Sequence, residues 1–457
     1  MTTKFRGILE WVKQQIEEEK LKAGDKLPSI RLLAEQFQCS KNTVVKALFE
    51  LEKQHIVYAK PKSGYYVVDD YQTPSTHENG IDFLSAGPDQ RIMPYEDFQH
   101  CINQAIDHYK EQLFTYSEHQ GLFSLRVELV RYLRQLQVFT KPERLVITSG
   151  SQQALHVLSN MPFPNGKKNI LIEQPTYFGM VDILKLNHIP TLEIELSMEG
   201  IDFERLENLF RANDIKFFYI IPRCHNPLGH HYTNDEKKKI VALAEKYDVY
   251  IVEDDYLAEL DPNTKADPLF AYEPNGRVIY VKSFSKVFLP GLRIATVVLP
   301  EKMISSFVRY KFSTDFNTSP LSQGALEIYL KSGMFQYHLE SVKELYIKKM
   351  KTLLEACSLY LPNYVQFTKP ISGFYLTIFL PSHIDVEKLI YLLHEKHIYL
   401  DNASRMYLAE NKQKAIRLSI SQVNENKIHF GIQQLATFII DMCEKKKYNP
   451  LSFKSYH

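Results

Sequence analysis

The residues best placed to do chemistry lie together in Ser283-Phe284-Ser285-Lys286-Val287-Phe288-Leu289-Pro290-Gly291-Leu292-Arg293. A lysine held by a rigid element and partly desolvated can lose its proton and attack a carbonyl, whereas a surface lysine stays a hydrated cation. Ser283, Ser285 and Arg293 add short donors and a bidentate fork, the groups a phosphate needs, so the segment suits an aldehyde-bearing phosphate ester. Taken alone, Ser-x-Ser-Lys reads first as a solvent-facing loop with an ordinary lysine. The Pro-Gly-Leu-Arg that follows shifts that balance.

Strands must position these groups. Val278-Ile279-Tyr280-Val281 is a β-branched, aromatic run that predicts a buried strand, so Lys286 falls just past a strand end, where open α/β sheets bind ligands. The pattern recurs. Leu145–Thr148 runs into Ser149-Gly150-Ser151-Gln152, a glycine turn opening a helix whose N–H groups, with the Ser151 hydroxyl, suit an anion; a plain helix cap is the other reading. Asn169–Glu173 ends in Gln174-Pro175-Thr176-Tyr177, and an aromatic there can stack on a planar ring. Phe217–Ile221 precedes Pro222-Arg223-Cys224-His225-Asn226-Pro227-Leu228-Gly229. Tyr250–Val252 leads into Glu253-Asp254-Asp255-Tyr256, where a carboxylate could keep a ring nitrogen protonated; Asp254 and Asp255 both remain open for that role.

Strands alternating with helical stretches from Leu145 to Pro300 imply a largely parallel, doubly wound α/β sheet with every candidate at a strand end. A smaller α+β lobe follows: helical stretches from Leu321 to Leu361, an expected strand at Pro370–Tyr375, and a strand at Ile416–Ile420 carrying Arg417 in an apolar setting. That fork suits an α-carboxylate, or else a salt bridge within its lobe. Phe83–Asp89, containing Gly87, reads as a turn.

At 457 residues the chain is too long for one ordinary core, and two or three domains are expected. Hydrophobic residues at 44% and charged residues at 24% exclude a disordered chain, and a formal net charge of +1 leaves any affinity for nucleic acid or membrane to local patches. Five scattered cysteines without a Cys-x-x-Cys pair suit a reducing cytosol, with no disulfide framework and no metal site. The N-terminus lacks a signal-peptide core and no apolar run approaches membrane-spanning length, so a cytoplasmic protein is expected.

Apolar residues at helical spacing (Phe5, Ile8, Leu9, Val12, Ile16) predict a first helix. Ser29 can cap a second helix, and a three-residue turn then meets a third helix with Val44, Val45, Leu48 and Leu51 on its apolar side: a helix-turn-helix. Ser40, Lys41, Asn42 and Thr43 crowd the start of the third helix, which suits phosphates and base edges in a major groove. Two strand-like runs flank Pro61-Lys62-Ser63-Gly64, a wing with a basic tip, and between Lys41 and Lys62 basic residues outnumber acidic ones. A small helical domain for protein contacts is the plainer alternative.

Residues 24–67 resemble the winged-helix DNA-binding domain of GntR-type bacterial regulators, through Leu27-Pro28-Ser29-x-Arg31 and Ser40-Lys41-x-Thr43-Val44. The Lys286 segment resembles the pyridoxal 5'-phosphate (PLP) lysine segment of fold-type I aminotransferases, and the combination looks like the MocR family of bacterial transcription regulators over essentially the whole chain. The resemblance implies a winged helix at 1–69, a linker at 70–80 and an aminotransferase-like domain at 81–457, with a large lobe at about 120–320 and a small lobe of 81–119 plus 321–457. It implies contacts to a double-stranded DNA operator from Ser29, Arg31, Ser40, Lys41, Asn42, Thr43 and Lys62. It also implies PLP in an aldimine with Lys286, its phosphate held by Ser151, Gln152, Ser283, Ser285 and Arg293, and its ring by Asp254, Tyr256, Asn226 and a stacked Tyr177. Tyr116 would reach the phosphate of the neighbouring subunit's cofactor in a head-to-tail homodimer with exchanged winged helices. An amino-acid or amine effector would displace Lys286, meet Arg417 and Gly87, and close the small lobe. A competent aminotransferase with an appended DNA domain is the alternative. Three features depart from the family pattern: Asn226-Pro227-Leu228-Gly229 is closer to the enzyme form, Ser372 replaces a frequent glycine, and the linker is short.

Overall fold

Strands with no exposed face need cover on both sides, and that requirement organises the larger of two units. In the computed structural model the chain divides into Met1–Glu78 and Asn79–His457. Residues 3–18, 20–22, 24–54, 56–60, 63–68, 80–263, 266–273, 275–409 and 413–447 are described; Lys62 and all of the expected linker but Gly80 lie outside them.

The first unit holds α1 (Thr3–Glu17), α2 (Ile30–Gln36), α3 (Lys41–Lys53), β1 (Val57–Lys60) and β2 (Gly64–Val67). Ser29 and Ser40 accept the backbone N–H of Leu32 and Thr43, so each serine side chain caps its helix, worth about 1 kcal/mol apiece. Ile8, Val12, Leu33, Val44, Leu48 and Leu51 are fully buried and form this unit's own core. β1 and β2 pair antiparallel from Val57↔Val67 to Lys60↔Gly64, the expected wing.

The second unit begins with β3 (Ile81–Asp82), α4 (Tyr95–Tyr109) and α5 (Phe123–Gln135). It continues through β4 (Leu145–Thr148), α6 (Ser151–Asn160), β5 (Asn169–Gln174), α7 (Phe178–Leu186), β6 (Thr191–Ser197), β7 (Gly200–Ile201) and α8 (Phe203–Ala212). Then come β8 (Ile215–Ile220), α9 (Asn234–Lys246), β9 (Tyr250–Asp254), β10 (Val278–Ser283), β11 (Ala295–Val298) and α10 (Glu301–Phe312). These strands form an eight-stranded sheet in the order β4-β11-β10-β9-β8-β5-β6-β7. Its centre is parallel, as expected, but β11 runs antiparallel to both neighbours and β7 runs antiparallel to β6, so the sheet is mixed. β8, β9 and β10 are buried at every residue, which explains why their sequences show no polar alternation.

The chain closes with α11 (Pro320–Lys331), α12 (Met334–Tyr360), β12 (Gln366–Phe367), β13 (Tyr375–Phe379), α13 (Val386–His394), β14 (Ile398–Tyr399), β15 (Asp401–Asn402), β16 (Ala415–Ser419) and α14 (Glu425–Lys447). β12-β13-β16-β15 make a four-stranded antiparallel sheet, and β14 pairs with β3. The strand expected at Pro370–Tyr375 starts only at Tyr375. Residues 371–374 bend instead, with Gly373 at φ 96 seating the loop against Cys224. All five cysteines are free, and no helix among the described residues is long and apolar enough to cross a membrane.

Candidate functional site

The loop bearing Lys286 is pinned at both ends. Ser283 on β10 pairs with Ala295 on β11, and Phe284 N–H donates to Ile294 O. Phe284, Val287 and Phe288 are buried, Phe288 stacking on Tyr329 at 4.7 Å, so the apolar residues anchor the loop and leave Ser285 and Lys286 half-buried. Lys286 Nζ donates to Ala86 O at 2.7 Å, which ties it to the turn containing Gly87.

Around that amine lies a small cavity of about 40 Å³. Ser151 comes from the start of α6, Tyr177 from the turn before α7, Asn226 from the loop after β8, Asp254 and Tyr256 from the end of β9, and Ser283 from the end of β10. Every one lies at or beyond the carboxyl end of a sheet strand, the position at which open α/β sheets bind ligands.

Asp254 is 4% exposed; Oδ2 accepts from Tyr219 at 2.9 Å, while Oδ1 is buried with no partner. Burial pushes its carboxyl up to about 6, with Asp255 adding to the rise and the Tyr219 hydrogen bond, Lys282 and Lys286 opposing it. Asp255 points to the other face. It takes Arg223 through both oxygens, at 2.7 and 2.5 Å, and Tyr280 at 2.8 Å. Burial works to raise its carboxyl, but Arg223 outweighs that and holds it below the usual range. One aspartate is therefore fully paired, and the other presents an unmet acceptor beside the cavity.

An open helix start lies at α6. No side chain caps this helix; Gly150 stands before it at φ 86, and a Cβ there would strike the Arg293 guanidinium. Unpaired N–H groups with a guanidinium at the helix start form an anion cradle. Arg293 is itself in the left-handed region, at φ 53, and its Nη1 donates to Ser285 Oγ at 3.2 Å. The Gln152 side-chain amide accepts from Tyr177 OH and donates to Gly179 O, so it orients the aromatic ring.

Tyr256 OH donates to Cys224 O at 2.6 Å. Asn226 Oδ1 accepts from Arg417 Nη1 at 3.2 Å, and Arg417 Nη2 donates to Asp401 at 2.8 Å, so Arg417 has both the salt bridge within its lobe and a link to the cavity. Ser372 lies away from the cavity, near Cys224 Sγ and His231 Nε2. Tyr116 is 85% exposed against Phe316, outside the cavity of its own chain. Tyr219, Asp401 and the Ala86 carbonyl escaped sequence reasoning. Tyr219 had a signal, since it falls inside a buried apolar strand where an unpaired hydroxyl would be costly.

In the smaller unit Lys41 and Asn42 are exposed at the start of α3, with Lys46 one turn on. The hydroxyls of Ser40 and Thr43 bond each other at 2.9 Å, so they serve first as the cap. Arg31 is exposed and bridges Glu35 at 3.2 Å, and Lys60 of the wing lies over Tyr66 at 4.4 Å.

Known proteins share both parts. The family model for aminotransferase class I and II matches residues 90–435, and that for bacterial regulatory proteins, gntR family, matches residues 6–67. An uncharacterized HTH-type transcriptional regulator of Bacillus subtilis, YcxD, is 42% identical over 442 residues, covering 95% of this chain and 100% of its own. The HTH-type transcriptional regulator NorG of Staphylococcus aureus is 24% identical across 91% of this chain and 99% of its own. Among solved structures, Pyrococcus horikoshii kynurenine aminotransferase superposes with a TM-score of 0.74 at 27% identity, over 80% of this chain and 92% of that one. The multiple substrate aminotransferase of Thermococcus profundus gives 0.75 at 26%, over 81% and 93%.

Proposed function

From a chain that belongs to the class I and II aminotransferase family and carries a GntR-family domain at its N-terminus, in the manner of MocR-type regulators, we propose a DNA-binding transcription regulator that holds PLP at Lys286 and senses an amino acid or amine there. The observation that carries this reading is the convergence, in one cavity, of a lysine amine, a carboxylate with an unmet oxygen and an uncapped helix start backed by a guanidinium.

The residues present fit the group. The start of α6, Ser151, Ser283, Ser285 and Arg293 would take its phosphate, Tyr177 would cover its ring, and Asp254 rather than Asp255 would face its nitrogen, since Asp255 is consumed by Arg223. When bound, PLP supplies an electrophilic carbonyl and a ring that withdraws electrons once its nitrogen is protonated. Asp254 would hold that proton: a positive charge beside Oδ1 removes the burial cost that keeps the carboxyl near 6. Lys286 provides the amine with which an effector's amine competes. Tyr256 and Asn226 would lie beside the ring oxygen, and Arg417, reached through Asn226, would meet an effector carboxylate near Gly87.

An exposed aromatic cluster of Tyr116, Phe312 and Phe316 supports a homodimer in which Tyr116 completes the partner's phosphate site. The exposed start of α3 supports operator contact through Lys41 and Asn42, with Arg31 beside them.

A second reading, a working aminotransferase, is supported by the complete cavity and the enzyme-like Asn226-Pro227-Leu228-Gly229. Both readings are tested by loading the full chain with PLP and titrating amines while following absorbance and operator retardation. The regulator reading expects spectral and DNA-binding responses without keto-acid turnover, and Lys286→Ala abolishing the spectral response. Multiple turnovers without a DNA response would overturn it.

A further inference from the structure

Arg417 is 3% exposed, and its charge is already answered within the chain. Asp401 stands directly opposite it on the neighbouring strand, so the backbone register sets the pair face to face. The engagement is one-pronged: a single oxygen, Asp401 Oδ2, takes Nη2 at 2.8 Å, Asn226 Oδ1 takes Nη1 at 3.2 Å, and Nε is buried with no partner. Tyr375 lies 4.7 Å beneath the guanidinium. A carboxylate that served only to neutralise this arginine would gain most by gripping two nitrogens. Here the guanidinium keeps an unused donor while holding an internal carboxylate.

We propose that Asp401 is a specificity-determining residue, an internal carboxylate that competes with the carboxylate of an effector for Arg417. The proposal rests on the reading of the cavity as an amine-sensing site. An effector carboxylate arriving at Arg417 meets a neutral pair, and two carboxylates on one guanidinium repel each other. A bare buried arginine would instead be a strong carboxylate trap, because its desolvated charge is uncompensated until the ligand binds. Asp401 therefore brings carboxylate-bearing and carboxylate-free amines close to parity, and the effector is selected by its other groups.

L-Alanine and ethylamine differ by that one carboxylate. In the PLP-loaded full chain, dissociation constants read from absorbance should lie within about threefold of each other. Asp401→Asn should bind L-alanine about tenfold tighter and leave ethylamine unchanged, because repulsion between carboxylates about 5 Å apart at an effective dielectric of about 20 exceeds that factor. Should melting curves show that Asp401→Asn does not fold, Asp401→Ser carries the same expectation. The cofactor-free variant should also be stabilised by acetate more than the unaltered chain. A wild-type preference for L-alanine above about tenfold overturns the proposal, as does weakened L-alanine binding in the variants, which would make Asp401 a positioning residue for Arg417. If both amines respond and the variants leave their ratio unchanged, only the role of Asp401 falls. Silence from both amines in the unaltered chain overturns the sensing site and this proposal with it.

Discussion

Two helix starts in this chain were both expected to meet phosphate, and they have opposite local chemistry. At α3, Ser40 turns its hydroxyl onto Thr43 N–H and closes its own helix; the residues left over, Lys41 and Asn42, face solvent. At α6, glycine stands where a cap would be, no side chain closes the helix, and Arg293 lies across the opening. A helix that satisfies itself suits passing contact with a large polyanion whose affinity comes from many weak phosphate contacts. A helix left open, inside a cavity with an unmet carboxylate oxygen, suits one small anion held completely. The cavity region leaves its polar demands unmet, and the winged helix meets its own.

That contrast can be broken at three points. The largest effect belongs to Asp254, whose carboxyl is raised from the usual 3.8 to about 6. A carboxyl raised on folding contributes stability that is complete below the unfolded value and is lost as pH rises through the folded one. The cofactor-free chain should thus lose about 3 kcal/mol between roughly pH 4 and pH 6 through this group. Urea midpoints of the unaltered chain and Asp254→Asn should diverge by that amount; parallel pH curves would show that Oδ1 is not an unmet group. Neighbouring Glu253, pushed up to about 7 mainly by burial, is common to both proteins and largely cancels.

Next comes Gly150→Ala. It places a Cβ against Arg293 at a backbone φ of 86 and so closes the open helix start. PLP affinity by equilibrium dialysis should fall by about 2 kcal/mol, roughly thirtyfold, and an unchanged affinity would mean that the phosphate is held elsewhere. The smallest effect is expected at the self-satisfied helix. Ser40→Ala should cost about 1 kcal/mol, seen as roughly fivefold faster amide exchange in the first turn of α3 of the full chain, with PLP binding unaltered.

The sequence made most of the cavity legible because its chemistry follows strand ends, and strand ends are marked by a change from apolar runs to polar residues. Lys286, Asn226 and Tyr177 all follow this rule. The choice between Asp254 and Asp255 was not legible: successive residues on a strand face opposite ways, but β9 is buried on both faces, so no pattern of polarity says which side holds the cavity. Asp401 was hidden for a different reason. It lies on a two-residue strand, too short for periodicity, and its partner is chosen by the register of a sheet that only the folded chain has. Gln152 and Tyr256 stand where expected, yet their polar groups turn to Tyr177 and to the carbonyl of Cys224, details set by side-chain direction.

The bond from Lys286 to Ala86 gives the cavity an outlet. One nitrogen cannot both be spent in a covalent link and remain the free amine that donates to this carbonyl. Ala86 closely follows β3, which is laced to β14, and Phe83 O is fastened to Ser419 N–H on the strand of Arg417. Whatever engages that nitrogen must therefore first let go of the turn that joins β3 to the rest of its own unit.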